Sequence, residues 1–389
     1  MRRSPLTVVG LLSLPVLAFG GHATAADAAP DPAPAFSAVT PPGCAGVVDA
    51  MSLSEQVGQL LSVPQSSTGP SAAGRRTIRA LHVGSVTLQG NSRAGRSRTR
   101  SLVRQLRAGA GTNHGVGLLV AADQEGGQVQ RFQGSGFTRM PAARDQARWS
   151  DTKLRTRARA WSSELDKAGI DANLAPVADV VPSTIGKANK PIGALRRGYG
   201  PNPATVARKT AAVVDGMHAG RTATAAKHFP GLGRVTGNTD YVAKVVDRRT
   251  TRHDALLAGF RAEIEHGTDM VMISSAVYTK IDAKNPATYS RTVMRSMLRS
   301  DLGFTGVVVS DSLSGKALSK VKVRDRGVRF VRAGGDLVLV GSVAQLRPVR
   351  DGILHEAEGS ASFRALVGAS ATRVVEMKAR QGLASCSTG

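Results

Sequence analysis

Short apolar runs alternate with longer amphipathic segments from Cys44 to about residue 375. Eight of these runs have the length and the β-branched content of buried strands. They lie at residues 58–63, 83–88, 117–123, 173–180, 222–229, 269–277, 306–312 and 336–341. Segments with helical periodicity, such as residues 154–169 and 204–220, separate most of them. Continuous apolar strands separated by helices indicate a parallel sheet that is covered on both faces.

The positions of the polar side chains distinguish between two such folds, a (β/α)₈ barrel and a doubly wound open sheet. In a barrel all strand ends converge on one site, whereas in an open sheet only those at the switch point do. Polar residues occur at the carboxyl ends of many predicted strands, namely Asp123 and Glu125, Asp179, Lys227 and His228, Ser274 and Ser275, and Asp311. The pattern therefore predicts an α/β fold with a single TIM-type (β/α)₈ barrel over residues 44–389, without a second catalytic domain.

The N-terminal residues have a different composition. Residues 1–25 combine a basic start, an apolar stretch and the small residues Ala23-Thr24-Ala25, which is typical of a secretory signal peptide. Residues 26–43 are rich in Ala and Pro and are interpreted as a flexible leader. No later run approaches the ~20 apolar residues that span a bilayer, so we expect a secreted protein without a membrane span.

The two cysteines, Cys44 and Cys386, lie near the two ends of the predicted barrel. In an oxidising compartment such a pair is typical of a disulfide bond, here between the start of the domain and the C-terminal tail. The alternative is two free buried thiols.

The formal net charge is +24, and residues 93–100 form a basic segment typical of a helix face. Nucleic-acid binding requires a recognition motif and aromatic side chains for stacking. The chain has only 4 % aromatic residues and no such motif. We therefore expect association with an anionic cell wall and no nucleic-acid partner.

Candidate catalytic carboxylates close two apolar strands. Asp311 ends the run GVVVSDS, where a carboxylate is costly unless it is hydrogen-bonded, and its alternative role is a helix N-cap. Asp123 and Glu125 are two residues apart and would share one face of a strand. Their oxygens suit sugar hydroxyls, and the alternative is a tight turn with an N-cap.

Lys227 and His228 close the fifth run, before Pro230 stops the strand. A basic pair at a strand end suggests ligand contact, although a lone buried histidine is more often a core residue. The histidines lack metal-ligand spacing, and the chain contains neither a P-loop nor a Gly-x-Ser-x-Gly elbow. The glycines at 231–237 fit a dinucleotide fingerprint only loosely, so no cofactor and no metal are expected.

Taken together, these segments resemble glycoside hydrolase family 3, in particular its single-domain bacterial β-N-acetylglucosaminidases. The resemblance runs in order through MSLSEQVGQLLSV, ADQEGGQVQRF, NLAPVADV, PIGALRRGYGPNP, KHFPGLG, DLGFTGVVVSDSL and AGGDLVLV. It implies a retaining hydrolase, by default a monomer, that acts on N-acetylglucosamine-containing glycans. The family's aspartate nucleophile matches Asp311. Its sugar-binding residues match Asp123, Arg197, Lys227 and His228, and Asp179 matches a position near the pocket floor.

The chain departs from the family in the acid/base loop. The family has Gly-His-Gly followed by Asp-Ser-His, whereas this chain has Gly231-Leu232-Gly233 and Asn238-Thr239-Asp240. Ser275 also stands where the family often has a histidine. Three outcomes are open: Asp240 serves as a carboxylic acid/base, or hydrolysis proceeds slowly without an acid, or the protein binds sugar without turnover.

Overall fold

The structure is a computed structural model that describes residues 43–386. The expected signal peptide and all of the expected leader except Gly43 lie outside the described residues. Within the described residues, no helix combines the length and the apolar character needed to cross a membrane.

Eight parallel strands form the central sheet, and each of them overlaps one of the eight predicted runs. Their bounds are β1 Leu61–Ser66, β2 Ser85–Gln89, β3 Leu119–Ala122, β4 Ala172–Asn173, β5 Ala223–Phe229, β6 Met270–Ile273, β7 Val307–Ser310 and β8 Val338–Leu339. Each strand pairs with the next in chain order from β1 to β7, and β8 pairs with β1. A parallel bridge between Val309 and Leu337 links β7 to the residue before β8. The sheet is therefore nearly closed, as in a TIM-type barrel.

The α-helices surround this sheet. Their bounds are α1 Ala45–Asp49, α2 Leu53–Gln59, α3 Ala72–Ala80, α4 Gly95–Ala110, α5 Ala143–Gln146, α6 Asp151–Ala168, α7 Pro203–Ala219, α8 Ala258–Glu265, α9 Val323–Ala333, α10 Val343–Gly359 and α11 Ala361–Arg380. A π-helix covers Thr292–Asp301 between β6 and β7. The predicted helices at 154–169 and 204–220 correspond to α6 and α7, and the basic segment at 93–100 includes the start of α4.

Two predicted strand boundaries are wrong. The first run was placed at 58–63, but Gly58 and Gln59 end α2 and the strand begins at Leu61. A capping box between Ser52 and Glu55 starts that helix and fixes its register. The fourth run was placed at 173–180, but only Ala172–Asn173 pairs as a strand. The residues that follow β4 are buried without continuous strand pairing and lead to Asp179.

The C-terminal helix closes the amino-terminal end of the barrel. Met377 of α11 belongs to the same buried cluster as the barrel residues Leu119, Met270 and Val307. The bottom of the barrel is therefore filled with side chains, and the carboxyl ends of the strands are left as the open face.

The disulfide bond expected between Cys44 and Cys386 is present, with a Cα–Cα distance of 4.9 Å. Cys44 precedes α1, and Cys386 follows α11. The bond therefore joins the first and last parts of the chain that the structure describes.

Candidate active site

A cluster of buried ion pairs lies at the carboxyl ends of β3 and β5. The Nζ atom of Lys227 is 2.7 Å from Oδ1 of Asp123 and 2.6 Å from Oε1 of Glu125. Arg197 donates two parallel hydrogen bonds to Glu125, at 2.8 and 2.7 Å. Asp123 and Glu125, which were predicted to share one face, thus both reach one lysine. The arrangement holds Lys227 and Arg197 in fixed positions.

The electrostatics of this cluster fix its charge state. Burial alone would raise the pKa of Glu125, but Arg197 and Lys227 outweigh burial and hold that pKa well below its usual range. Burial would lower the pKa of Lys227, and the carboxylates of Asp123 and Glu125 raise it instead. Glu125, Lys227 and Arg197 are therefore charged near neutral pH. Asp123 is the more accessible carboxylate, with 23 % of its side chain exposed against 4 % for Glu125.

His228 is held by a second buried carboxylate. Its Nδ1 atom lies 2.7 Å from Oδ2 of Asp179, so Nδ1–H donates to that oxygen. The other oxygen of Asp179 accepts a hydrogen bond from the amide of Leu232 at 2.6 Å. Asp179 has no exposed surface, and both of its oxygens are occupied. It therefore orients His228 and anchors the start of the following loop.

Lys227 and His228 both contact the site, although neighbouring strand residues normally face opposite ways. The pairing of β5 with β6 shifts register between Lys227 and Phe229, which interrupts the alternation at this point.

Asp311 follows β7 directly and is half-buried at the same end of the barrel. Its Oδ1 atom accepts a hydrogen bond from the amide of Ser312 at 2.8 Å. Within the described part of the chain, Oδ2 accepts no hydrogen bond and the carboxylate forms no ion pair. The next α-helix begins only at Val323, with Lys322 as its N-cap residue. The alternative role of Asp311 as a helix N-cap is therefore wrong.

The first half of the loop after β5, residues 231–235, is firmly anchored. Asn189, which is fully buried, donates to the carbonyls of Leu232 and Val235 at 2.6 and 2.7 Å. The hydroxyl of Tyr278 donates to the carbonyl of Gly231 at 2.9 Å. A Cβ atom at Gly233 would lie 1.8 Å from the carbonyl oxygen of Val180, so only glycine fits there. Leu232, which replaces the family histidine, is part of the hydrophobic core.

The second half of this loop carries Asp240 and is more exposed. The amide of Asp240 donates to Oδ1 of Asn238 at 2.9 Å, which forms a tight turn. The carbonyls of Thr239 and Asp240 accept hydrogen bonds from Ala317 and Lys316 at 3.0 and 3.1 Å. These bonds fasten the loop to the segment that follows Asp311. Asn238 thus shapes the backbone and does not contact the carboxyl of Asp240.

The environment of Asp240 changes its acidity. Partial burial of its carboxyl, with a contribution from the negative charge of Asp311, raises its pKa to about 6. His228 and Arg197 act in the opposite direction. The residue as a whole remains exposed, so water and a substrate can reach its carboxyl. A carboxyl with a pKa near 6 can both donate and accept a proton near neutral pH.

The sequence did not identify three residues of this site by role. Glu125 was predicted to accept hydrogen bonds from sugar hydroxyls together with Asp123, whereas in the structure it pairs with Lys227 and Arg197. Asn189 and Tyr278 anchor the loop from distant parts of the chain, and no local pattern marks them. Ser275 lies 3.1 Å from the hydroxyl of Thr288 and is buried, so it packs beside the site.

Comparisons with known proteins identify the family of this chain. Residues 52–377 match the model of the glycosyl hydrolase family 3 N-terminal domain. A β-hexosaminidase of Stenotrophomonas maltophilia (strain R551-3) is 37 % identical over 263 residues, which are 64 % of this chain and 74 % of that protein. A β-hexosaminidase of Vibrio cholerae (strain M66-2) is 35 % identical over 275 residues, which are 69 % and 78 %.

A solved structure is similar over most of the chain. The crystal structure of the β-N-acetylhexosaminidase from Beutenbergia cavernae superposes with a TM-score of 0.82 at 41 % identity. The match covers 85 % of this chain and 99 % of that one. The resemblance that the sequence motifs carry is confirmed: this chain belongs to glycoside hydrolase family 3 and is a glycosidase.

Proposed function

We propose that this glycosidase is a secreted, retaining β-N-acetylhexosaminidase that removes terminal β-linked N-acetylglucosamine from cell-wall or chitin-type oligosaccharides. One observation carries the proposal: backbone hydrogen bonds from Lys316 and Ala317 fasten the loop of Asp240, an exposed residue, to the segment that follows Asp311, whose carboxylate forms no ion pair within the described residues. The names of the similar proteins support the choice of an N-acetylhexosamine as the sugar.

In the first step Asp311 attacks the anomeric carbon of the sugar. The new bond joins a carboxylate oxygen to that carbon while the bond to the leaving oxygen breaks. Asp240 gives its proton to the leaving oxygen and becomes a carboxylate. This step requires Asp240 to be protonated, and the raised pKa of its carboxyl increases the protonated fraction.

In the second step water releases the sugar. Asp240, now a carboxylate, accepts a proton from the attacking water, whose oxygen bonds to the anomeric carbon. The bond to Asp311 breaks, and both carboxyls return to their starting states. The sugar keeps its β configuration because two displacements occur at the same carbon.

The charged cluster holds the sugar during both steps. Asp123, Arg197, Lys227 and His228 present charged or polar atoms to the sugar hydroxyls, and Glu125 keeps Lys227 and Arg197 in place. Nε2 of His228 has no hydrogen-bond partner within residues 43–386, so it is free for a hydroxyl. Asp179, whose oxygens are both occupied, acts as a positioning residue for His228 and does not contact the sugar itself.

The proposal is tested by incubating the full chain with an aryl β-N-acetylglucosaminide and identifying the anomer first released. Release of the β anomer by the wild type, with no turnover by the Asp311→Ala variant, supports a retaining hydrolase. The second candidate function is sugar binding without turnover, which the loss of the family's acid/base histidine favours. Binding of N-acetylglucosamine without hydrolysis of aryl or oligosaccharide substrates at any pH would establish that candidate instead.

We further propose that the protein works as a monomer near an anionic wall. The net charge of +24 supports attraction to polyanions. Sedimentation of the purified chain and its retention on isolated walls test these two points separately.

A further inference from the structure

One stretch of the chain is strongly basic and contains no acidic residue. Between Glu55 and Asp123 there is no Asp or Glu, although the chain has 28 acidic residues in all. The same stretch contains nine arginines: Arg75, Arg76, Arg79, Arg93, Arg96, Arg98, Arg100, Arg104 and Arg107. The arginines lie on or next to α3 and α4, which pack side by side on the outside of the barrel.

Helix α4 arranges several of these arginines in a row. Arg96, Arg100 and Arg104 follow one another at four-residue intervals, so they lie on one side of the helix and about 6 Å apart along its axis. The opposite side carries the buried residues Leu102 and Leu106, which face the core. Arg93 lies two residues before the first residue of the helix. We name Arg93, Arg96, Arg100 and Arg104 the arginine strip.

The strip has no counter-charge of its own. Arg107, one turn further along, donates to Asp171 at 2.6 Å and is thereby neutralised. Within residues 43–386, none of the four strip residues forms an ion pair. Arg93, Arg100 and Arg104 are exposed, and Arg96 is half-buried. Uncompensated like charges at this spacing repel one another and attract a polyanion.

The strip begins near the open end of the barrel. The carbonyl of Arg93 packs against Gly134, in the loop that follows Asp123 and β3. From there α4 runs for about 24 Å down the outer wall. A polymer bound along this wall would leave the mouth of the barrel accessible.

We propose that the arginine strip binds a linear anionic wall polymer, one whose repeating units are joined by phosphodiesters. Guanidinium groups bind phosphate oxygens through paired hydrogen bonds, and the strip contains only arginine and no lysine. The strip would thus hold the glycosidase beside glycan chains. This inference builds on the proposed wall association, but it concerns a surface separate from the active site.

Two other polyanions fit the strip less well. Single-stranded nucleic acids are bound through stacking on aromatic side chains, and neither α3 nor α4 contains one. Membrane-surface helices insert an apolar face, whereas the apolar faces of α3 and α4 are buried against the barrel.

The test compares two triple variants of the full chain. The strip variant carries Arg93→Gln, Arg100→Gln and Arg104→Gln. The control variant carries Arg261→Gln, Arg329→Gln and Arg347→Gln, which are exposed and form no ion pair within the described residues. Both variants lose the same net charge, and glutamine preserves helix propensity. The probe is poly(glycerol phosphate), with affinity measured at several NaCl concentrations.

We expect the strip variant to lose about tenfold or more in affinity and to show a shallower salt dependence. The control should lose about threefold or less. Equal losses in the two variants would show that only overall charge matters and would overturn the proposal. Wild-type binding to single-stranded DNA or to anionic vesicles that is as tight as binding to the polymer would overturn it as well. Hydrolysis of a soluble aryl substrate should be unchanged in both variants, so failure of the strip is distinguishable from failure of the proposed activity.

Discussion

The carbonyl oxygen of Asp240 accepts a hydrogen bond from the amide of Lys316, at 3.1 Å. Lys316 lies five residues beyond Asp311, so this bond fixes the loop that carries one carboxyl to the segment that carries the other. The neighbouring bond from Ala317 to Thr239, at 3.0 Å, strengthens the same junction. The relative position of the two carboxyls is therefore set by the backbone as well as by their side chains.

The first prediction concerns pH. The pKa of Asp240 is raised to about 6, and the general acid must be protonated to act. We therefore expect kcat/KM to fall as the pH rises through about 6. On an N-acetylglucosamine disaccharide, whose leaving hydroxyl requires a proton, this decrease should be absent from the pH profile of the residual activity of Asp240→Asn. If kcat/KM of the variant still falls at the same pH, a group other than Asp240 causes the decrease.

The second prediction separates the two carboxylates that bind Lys227. Glu125→Gln leaves Lys227 and Arg197 buried without their main partner, which should lower the free energy of unfolding by about 3–5 kcal/mol. Asp123→Asn removes the more accessible carboxylate and should mainly raise KM. Urea unfolding and steady-state kinetics on both variants measure these effects. Similar stability losses in the two variants would contradict the division of roles.

The third prediction concerns Glu263 of α8, which is fully buried. Neither of its carboxyl oxygens has a hydrogen-bond partner within the described residues. Burial, together with the negative charge of Asp179, raises its pKa well above the usual range, so it is protonated in the folded protein. In the unfolded chain it ionises above about pH 4.5. Folding must then take up a proton, and the free energy of unfolding falls as the pH rises.

Glu263→Gln removes this cost. At pH 7 we expect the variant to be more stable than the wild type by up to about 3 kcal/mol, and at pH 4 we expect the two to be equal. Urea unfolding at both pH values measures the difference. A variant that is equally stabilised at pH 4 would show that packing, and not ionisation, explains the effect.

The fourth prediction concerns the disulfide bond. Because it closes a loop between residues 44 and 386, its loss should lower the free energy of unfolding by about 2–5 kcal/mol. Cys44→Ser combined with Cys386→Ser, compared with the oxidised wild type by thermal unfolding, measures this. Added reductant should lower the stability of the wild type and leave that of the variant unchanged. If the oxidised wild type, the reduced wild type and the variant are equally stable, the bond contributes little.

The sequence predicted the barrel well because the same pattern, an apolar run followed by a helical segment, recurs along the chain. Each buried strand is a short apolar run, and its polar end residue lies on the open face. Residues 173–180 were wrongly predicted as a strand because they are apolar and buried but irregular. Burial alone does not distinguish a strand from a packed loop.

The site was predicted less completely for a physical reason. Asp123, Lys227 and Asp311 end strands, so their position in the chain indicates their position in the barrel. Asn189 and Tyr278 reach the loop through contacts between distant segments, which sequence spacing does not encode. The raised pKa of Asp240 likewise depends on the fold that surrounds it.

The central claim is that Asp240 performs the proton transfers of this glycosidase. It is tested most directly by comparing kcat/KM of the wild type and of Asp240→Ala on two substrates, an N-acetylglucosamine disaccharide and an aryl glycoside with a strongly acidic phenol as leaving group. A phenol of low pKa leaves without a proton, whereas a sugar hydroxyl requires one. The account predicts a loss of about 10²- to 10⁴-fold on the disaccharide and a loss of less than about tenfold on the aryl glycoside. Equal losses on the two substrates, or no loss on the disaccharide, would contradict it.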